Sequence, residues 1–164
     1  MIYHNIPPVF DENSTVLILG SFPSVKSREA QFFYNHPQNR FWKVLSAVFS
    51  CECPVTIPQK KAFLLENKVA VWDVIASCEI HGSSDSSIRN AVPNDIIPVI
   101  ENSKIRRIFT NGATSYALYN RFLKNATRTD AVKLPSTSPA NAAYSLERLI
   151  EEWKQITDNS ALIK

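Results

Sequence analysis

Four short apolar runs, separated by stretches that carry helix signals, constrain the fold of this chain more than any other feature. Each run is rich in apolar or β-branched residues. The runs are Thr15–Leu19, Val69–Ile75, Ile105–Thr110 and Ala131–Leu134. Runs of this kind are typical of strands buried on both faces of a parallel sheet, and their alternation with helices predicts βαβ units. The predicted fold class is therefore α/β, with a parallel sheet and helices on both of its faces.

The segments between these runs contain the predicted helices. We place them at about 39–49, 58–67, 94–102 and 113–124, with a last helix after residue 141. Asn94 is a candidate cap for the third of them. The last helix carries an inward apolar stripe formed by Leu146, Leu149, Ile150, Trp153 and Ile156. Residues 1–14 are predicted to form an irregular lead-in, and Ala76–Asn90 a long polar connection.

Size and composition narrow the class of protein. With 164 residues, the chain is predicted to be a single domain spanning residues 1–164. A content of 45% hydrophobic and 20% charged residues is typical of a soluble globular protein. The net charge of +3 leans only slightly toward polyanionic partners. The odd number of cysteines, Cys51, Cys53 and Cys78, disfavours a disulfide framework and favours a reducing, cytoplasmic compartment.

Several classes of site lack a signature in the sequence. The histidines, His4, His36 and His81, have no neighbours at metal-ligand spacing, and the cysteines are one ligand short of a tetrahedral site. We find no Gly-rich phosphate loop and no dinucleotide fingerprint. We therefore expect no metal and no cofactor, and we interpret the cysteines as structural. We also expect no signal peptide and no membrane span.

Polar connections follow the carboxyl ends of the predicted strands, where ligands bind in parallel α/β sheets. There are four of them: Gly20–Asn39, Ala76–Asn90, Asn111-Gly112 and Pro135–Asn141. The first and last are the most distinctive. We expect these two to converge on one site.

The first connection begins with a Gly-Ser-Phe-Pro-Ser turn, Gly20 to Ser24. Its backbone amides can face a carbonyl or phosphate group, but glycine and proline can equally serve only to turn the chain. In the following Phe32-Phe33-Tyr34 cluster, Tyr34 is the best candidate for stacking on a base. The alternative is that these rings belong to the core.

Asn39 and the last connection each have two interpretations. Asn39 can cap the helix that starts there, or its side-chain carbonyl can orient a water molecule. The sequence Pro135-Ser136-Thr137-Ser138-Pro139-Ala140-Asn141 carries hydroxyl and amide groups that can bind phosphate at a helix start. It can also be an ordinary capped helix start stiffened by proline.

Taken together, GSFPS, HPQNRFWKV and LPSTSPAN resemble the motifs of the uracil-DNA glycosylase superfamily. The combination of GSFPS with LPSTSPAN is most similar to the hypoxanthine-DNA (DNA-deoxyinosine) glycosylase branch. HPQNRFWKV is similar to the mismatch-specific uracil/thymine branch. The resemblance runs from about Val16 to the final helix. It implies a three-layer α/β/α sandwich around a mostly parallel four-stranded sheet, and monofunctional hydrolysis of an N-glycosidic bond without a metal or a covalent lysine intermediate.

The resemblance also implies roles for individual residues. Gly20, Ser21, Phe22, Pro23 and Ser24 would wrap the extruded base and its sugar. Tyr34 would stack on the base, and the loop Pro135 to Asn141 would press the DNA backbone and fill the vacancy in the duplex.

Two positions depart from the pattern of the relatives. Phe22 stands where the mismatch-specific branch has a water-positioning asparagine, which moves that role to Asn39. Leu134 stands where many members have a histidine or asparagine that binds the departing base, so stabilisation of the leaving group must come from elsewhere.

The function that we expect is therefore removal of a deaminated base, hypoxanthine above all, from DNA during base excision repair. The expected partner is DNA that contains such a base, and we expect a monomer. A uracil- or mismatch-directed glycosylase is the nearest alternative. A non-catalytic nucleic-acid-binding module is another, because the first motif lacks its asparagine. A small-molecule hydrolase using Ser21 or Ser24 would need a histidine base, and none is evident.

Overall fold

The computed structural model describes residues 1–157, and a four-stranded sheet lies at its centre. The strands of the described chain are β1 (Ile2–Tyr3), β2 (Val16–Gly20), β3 (Val69–Asp73), β4 (Ile75–Glu79), β5 (Arg89–Pro93), β6 (Arg107–Asn111) and β7 (Ala131–Leu134). The α-helices are α1 (Val25–Ala30), α2 (Phe41–Val48), α3 (Ile57–Glu66), α4 (Ile97–Glu101), α5 (Ala113–Phe122), α6 (Lys124–Thr127) and α7 (Leu146–Trp153). Short 3-10 helices cover Asp85–Ser87 and Lys154–Thr157.

The central sheet has the strand order β3-β2-β6-β7, and all of its neighbouring strands are parallel. Gly20 at the end of β2 lies opposite Asp73 at the end of β3, and Asn111 at the end of β6 lies opposite Leu134 at the end of β7. The four carboxyl ends therefore meet at one edge. This confirms the predicted α/β class and the four-stranded parallel sheet.

The two faces of the sheet are covered by different helices, because side chains alternate between the faces of a strand. Val16 and Ile18 of β2 join a buried cluster with residues of α2, α3 and α7. Leu17 and Leu19 join a second cluster with residues of α4 and α5. The result is a three-layer α/β/α sandwich, as the resemblance implied. The single-domain interpretation stays a prediction, and its last residues, 158–164, lie outside the described part.

A second, three-stranded antiparallel sheet, with the order β1-β4-β5, corrects three predictions. Residues 1–14 are not irregular throughout, because β1 lies within them and pairs with β4. The predicted strand Val69–Ile75 is divided, because β3 ends at Asp73 and β4 begins at Ile75. The segment Ala76–Asn90 is not a simple polar connection. It contains most of β4, a 3-10 helix and the start of β5. The residues of β5 are half-buried or exposed, so they carry little of the apolar signal on which strand prediction depends.

The helices also differ from prediction in three places. Helix α1 lies inside the predicted first loop and is capped by Ser24, whose hydroxyl accepts a hydrogen bond from the Ser27 amide. Asn94 does not cap α4. Its Nδ2 donates to the backbone carbonyl of Asp73, 2.9 Å away. The last helix begins at Leu146 with Ser145 as its cap, so residues 135–141 do not stand at a helix start.

Candidate active site

A cavity of about 330 Å³ opens at the carboxyl edge of the central sheet. Its wall is made from the connections that follow β2 and β7, the last residues of β2, β3 and β6, and two residues of the segment between β4 and β5. The lining residues are Gly20, Ser21, Phe22, Pro23, Ser24, Ser27, Phe33, Tyr34, His36, Asn39, Asp73, Ser83, Asp85, Asn111, Ser136, Thr137, Ser138, Pro139 and Ala140. The predicted convergence of the first and last connections is therefore observed.

Two of the predicted site residues lie outside this cavity. Pro135 and Asn141 line a second, outer groove of about 640 Å³. The cavity and the groove share Ser83, Asp85, Ser136, Ser138 and Ala140, so they adjoin each other. Asn141 stabilises its own loop by donating from Nδ2 to the Ser136 carbonyl at 3.0 Å.

Gly20 brings the backbone close to two side chains of the cavity. A Cβ atom at this position would lie 2.5 Å from Asp73 Oδ1 and 3.0 Å from the Tyr34 hydroxyl oxygen. Only glycine leaves room for both side chains. The Gly20 carbonyl also accepts the amide of Val74 at 2.8 Å, which fixes the turn between the first motif and the end of β3.

Asp73 is a buried acid that the sequence analysis missed, because it lies within an apolar run that we interpreted as continuous strand. It is only 3% exposed, and its Oδ2 has no hydrogen-bond partner in the described chain. Burial, followed by the negative charge of Asp85, raises the pKa of Asp73 to about 8. Its carboxyl group is therefore mostly neutral at pH 7. A charged residue type within such a run is the signal that could have identified it.

Tyr34 supplies a second unpartnered polar atom, since its buried hydroxyl has no hydrogen-bond partner in the described chain. Burial, followed by the negative charge of Asp73, raises the pKa of this phenol well above its ordinary value, and the nearby side chain of Asn111, which makes no well-formed hydrogen bond to it, opposes that change. One face of the ring is covered by Phe41, with ring centroids 3.9 Å apart and nearly parallel planes. Tyr34 therefore offers its other face and its hydroxyl to a ligand. Phe32 and Phe33 belong to the core, although Phe33 also reaches the cavity wall.

Asn39 is held by both loops. Its Oδ1 accepts the backbone amide of Phe41 at 2.9 Å and the hydroxyl of Thr137 at 2.8 Å. A backbone amide can only donate, so this bond also fixes which end of the side-chain amide is oxygen. The helix-start interpretation of Asn39 holds only in part, because Arg40 is the N-cap residue of α2, and Asn39 lies one residue before it while still bonding the first helical amide. Because both lone pairs of Oδ1 are used, the group left for a ligand is Nδ2, which has no acceptor within residues 1–157.

Asn111 completes this network from the end of β6. Its Nδ2 donates to the Thr137 hydroxyl at 3.0 Å, and its Oδ1 accepts the Thr137 amide at 3.0 Å. Thr137 is completely buried. Asn111 was predicted only as part of a connection, and its contact with Thr137, 26 residues away, has no local signal in the sequence.

Arg40 holds the backbone of the last connection through several hydrogen bonds. Its guanidinium group donates to the carbonyls of Ser138, Asn141 and Tyr144, and its backbone amide donates to the Thr137 carbonyl. The adjacent residues Asn39 and Arg40, which precede α2, therefore hold the last loop by its buried Thr137 side chain and by its backbone.

The serines of the first motif have structural partners. Ser21 is buried and donates its hydroxyl to Asp85 Oδ1 at 2.8 Å, while the Ser24 hydroxyl donates to that of Ser27. Neither hydroxyl contacts a histidine in the part of the chain that the structure describes. The geometry therefore offers no support for a serine nucleophile.

Within residues 1–157, no cluster of three or more histidine, cysteine, aspartate or glutamate residues could hold a metal ion. No helix in the same range is long and apolar enough to cross a membrane. The three cysteines are free, with Cys78 buried and the other two exposed.

The fold and the cavity define an α/β protein whose ligand site is closed by two loops at the carboxyl edge of a parallel sheet. The model of the uracil DNA glycosylase superfamily matches residues 7–158. The chain therefore belongs to the uracil DNA glycosylase superfamily, which confirms the resemblance seen in the sequence.

Individual relatives are similar over most or part of the chain. A hypoxanthine DNA glycosylase of Methanosarcina acetivorans is 34% identical over 158 residues, which is 95% of this chain and 98% of the relative. A hypoxanthine DNA glycosylase of Methanosarcina barkeri is 34% identical over 85 residues, 51% of this chain and 54% of the relative. The solution NMR structure of a Methanosarcina acetivorans protein, described as a candidate uracil DNA glycosylase, matches with a TM-score of 0.79 and 30% identity. The match covers 96% of this chain and 100% of the chain in the NMR structure.

Proposed function

We propose that the protein is a monofunctional DNA glycosylase that removes hypoxanthine from deoxyinosine in DNA and leaves an abasic site for base excision repair. The observation that carries this proposal is the cavity in which the two loops meet, whose lining includes Asp73 and Tyr34, each with a buried polar atom that has no partner among the described residues. The relatives named hypoxanthine DNA glycosylase favour this base.

The base edge is recognised by Asp73 and Tyr34. A neutral carboxyl group presents a donor and an acceptor side by side. The lactam edge of hypoxanthine, with N1–H and O6, needs this pair of partners. The Tyr34 hydroxyl supplies a further donor, and binding satisfies buried polar atoms that otherwise have no partner. Uracil presents a similar lactam edge, so uracil removal is the second candidate activity.

Extrusion of the nucleotide precedes chemistry. Unstacking and unpairing a base costs a few kcal/mol, and least for a poorly paired base, so weakly paired deoxyinosine is favoured. The loop from Pro135 to Asn141 occupies the vacancy and braces the strand. Its outer residues line the groove next to the cavity, where the sugar-phosphate backbone would run.

The bond between sugar and base then breaks, with positive charge on the sugar and negative charge on the base. Asn39 donates from Nδ2 to the attacking water and so holds it near the anomeric carbon. This revises the contact that we inferred from the sequence, in which the carbonyl oxygen held the water, because that oxygen is already bonded twice. Positioning of this kind lowers the barrier without removing a proton. The amides of the first motif and the neutral Asp73 stabilise the departing base.

A substrate panel tests the proposal. Duplexes containing deoxyinosine, deoxyuridine, deoxyxanthosine or mismatched thymine are incubated with excess wild-type protein, and abasic sites are measured by alkaline cleavage. We expect the fastest cleavage with deoxyinosine. Faster cleavage with deoxyuridine would make the protein a uracil-directed glycosylase. Salt-dependent binding without cleavage of any duplex would instead indicate a non-catalytic DNA-binding module.

A further inference from the structure

Asp85 reaches the cavity from an element that the sequence analysis did not predict. It begins the 3-10 helix between β4 and β5. The helix is fixed by backbone bonds from Ser87 to the Ser84 carbonyl and from Ile88 to the Asp85 carbonyl. Asp85 lines both the inner cavity and the outer groove. It therefore stands between the space for the base and the space for the backbone, which is where the sugar of an extruded nucleotide must lie.

The carboxyl group of Asp85 is oriented by one hydrogen bond, from the Ser21 hydroxyl to Oδ1 at 2.8 Å. Its Oδ2 has no partner in the described residues, so one oxygen is anchored and the other is free. The residue as a whole is exposed to solvent, whereas its carboxyl group faces the cavity wall. Desolvation there raises the pKa of Asp85, while the bond from Ser21 opposes that change.

A negative charge beside the sugar would favour the reaction. Cleavage of a glycosidic bond builds positive charge on the sugar. Asn39 carries no charge, and the buried Asp73, whose raised pKa keeps it mostly neutral, is assigned to the base in the proposed function. Asp85 is the remaining aspartate among the described residues that line the cavity.

We infer that Asp85 is a catalytic residue, whose carboxylate stabilises the cationic sugar and accepts the proton of the attacking water. In the step, the bond between C1′ and the base breaks and its electron pair leaves on the base. The water oxygen bonds to C1′, the water proton passes to Asp85 Oδ2, and the base takes a proton from solvent. Ser21 is a positioning residue that acts through Asp85.

This inference rests on the proposed function, and the first experiment separates the two. Single-turnover cleavage of a deoxyinosine duplex is compared for wild type, Asp85→Asn and Glu29→Gln. The last variant removes one negative charge from an exposed residue outside the cavity. We expect Asp85→Asn to be at least 100-fold slower and Glu29→Gln to match wild type. An inactive wild type would refute the proposed function, whereas an active wild type with equally fast Asp85→Asn would refute only the inference.

A binding measurement distinguishes a direct role from a structural one. Duplexes carrying a protonated pyrrolidine in place of the sugar mimic the cation, and a tetrahydrofuran residue is its neutral counterpart. We expect wild type to prefer the cationic duplex, and Asp85→Asn to lose this preference by 10-fold or more with unchanged affinity for the neutral duplex. An unchanged preference would overturn the inference even if cleavage is slow. Should Asp85→Asn fail to fold, Asp85→Ser is measured in the same way.

Discussion

The side-chain carbonyl oxygen of Asn39 accepts a hydrogen bond from the hydroxyl of Thr137 at 2.8 Å, across 98 residues of sequence. This contact joins the loop after β2 to the loop after β7. Since Thr137 is also bonded twice to Asn111, the connections that follow three strands of the central sheet form one network. The position of Asn39 therefore depends on side chains from two other connections.

Thr137→Val tests this network. Valine has a similar shape, but it cannot donate to Asn39 or accept from Asn111, so buried polar groups lose partners at a cost of about 1–3 kcal/mol. We expect single-turnover cleavage of a deoxyinosine duplex to slow by about 10-fold or more. The free energy of unfolding should fall by about 1–3 kcal/mol, the cost of the lost hydrogen bonds. Thr157→Val, in the exposed last turn, is the matched control. Unchanged cleavage by Thr137→Val would show that Asn39 does not depend on the bond.

Arg40→Lys tests whether the Arg40 guanidinium group keeps the backbone of the last loop in place. The planar guanidinium group reaches three carbonyls, which an ammonium group cannot do with the same geometry. We expect faster hydrogen–deuterium exchange in residues 136–144 and weaker binding to an abasic-site duplex. Arg121→Lys, on α5, is the control. Equal exchange in Arg40→Lys and wild type would mean that the loop is held by other contacts.

Gly20→Ala tests the close packing at the end of β2. The added methyl group would lie 2.5 Å from Asp73 Oδ1, and overpacking of this kind costs about 1–3 kcal/mol. We expect both stability and cleavage to fall. Chemical denaturation in an Asp73→Ala background should show a smaller cost, because the clashing atom is gone. The same cost in both backgrounds would place the strain elsewhere.

Asp73→Asn tests the pH dependence of stability. The pKa of Asp73 is about 8 in the folded protein and near 4 when unfolded. The folded state therefore binds more protons than the unfolded state between these values, so the free energy of unfolding falls as pH rises from about 4 to 8. Asparagine does not titrate, and we expect the variant to lose less stability over this range. The check is urea denaturation of wild type and Asp73→Asn at pH 5 and pH 8. An equal loss of unfolding free energy in the two proteins between these pH values would contradict the assigned pKa.

The sequence predicted the central fold because its signals are local. The β-branched run Val16–Leu19, ending at Gly20, has the character of a buried strand wherever it occurs. The second sheet could not be predicted in this way, since β5 is mostly exposed and its register with β4 is irregular. Stretches such as these depend on tertiary pairing for their structure.

The candidate site was likewise predictable only where its signals are local in the sequence. The two motif loops could be identified from their residue types and order, and they do line one cavity. Asp73 was hidden by the apolar residues around it, and Asp85 enters through a 3-10 helix with no periodic pattern. The partner of the Asn39 carbonyl was also unpredictable, because Thr137 reaches it only after the chain has folded.

The most direct test of the account identifies the product. Wild-type protein is incubated with a deoxyinosine duplex, and released small molecules are identified by mass spectrometry while the strand is assayed for abasic sites. We expect free hypoxanthine and abasic sites in equal amounts, at a rate that Asn39→Ala lowers by at least 10-fold while its fold stays intact. Release of no base, or cleavage at full rate by folded Asn39→Ala, would contradict it.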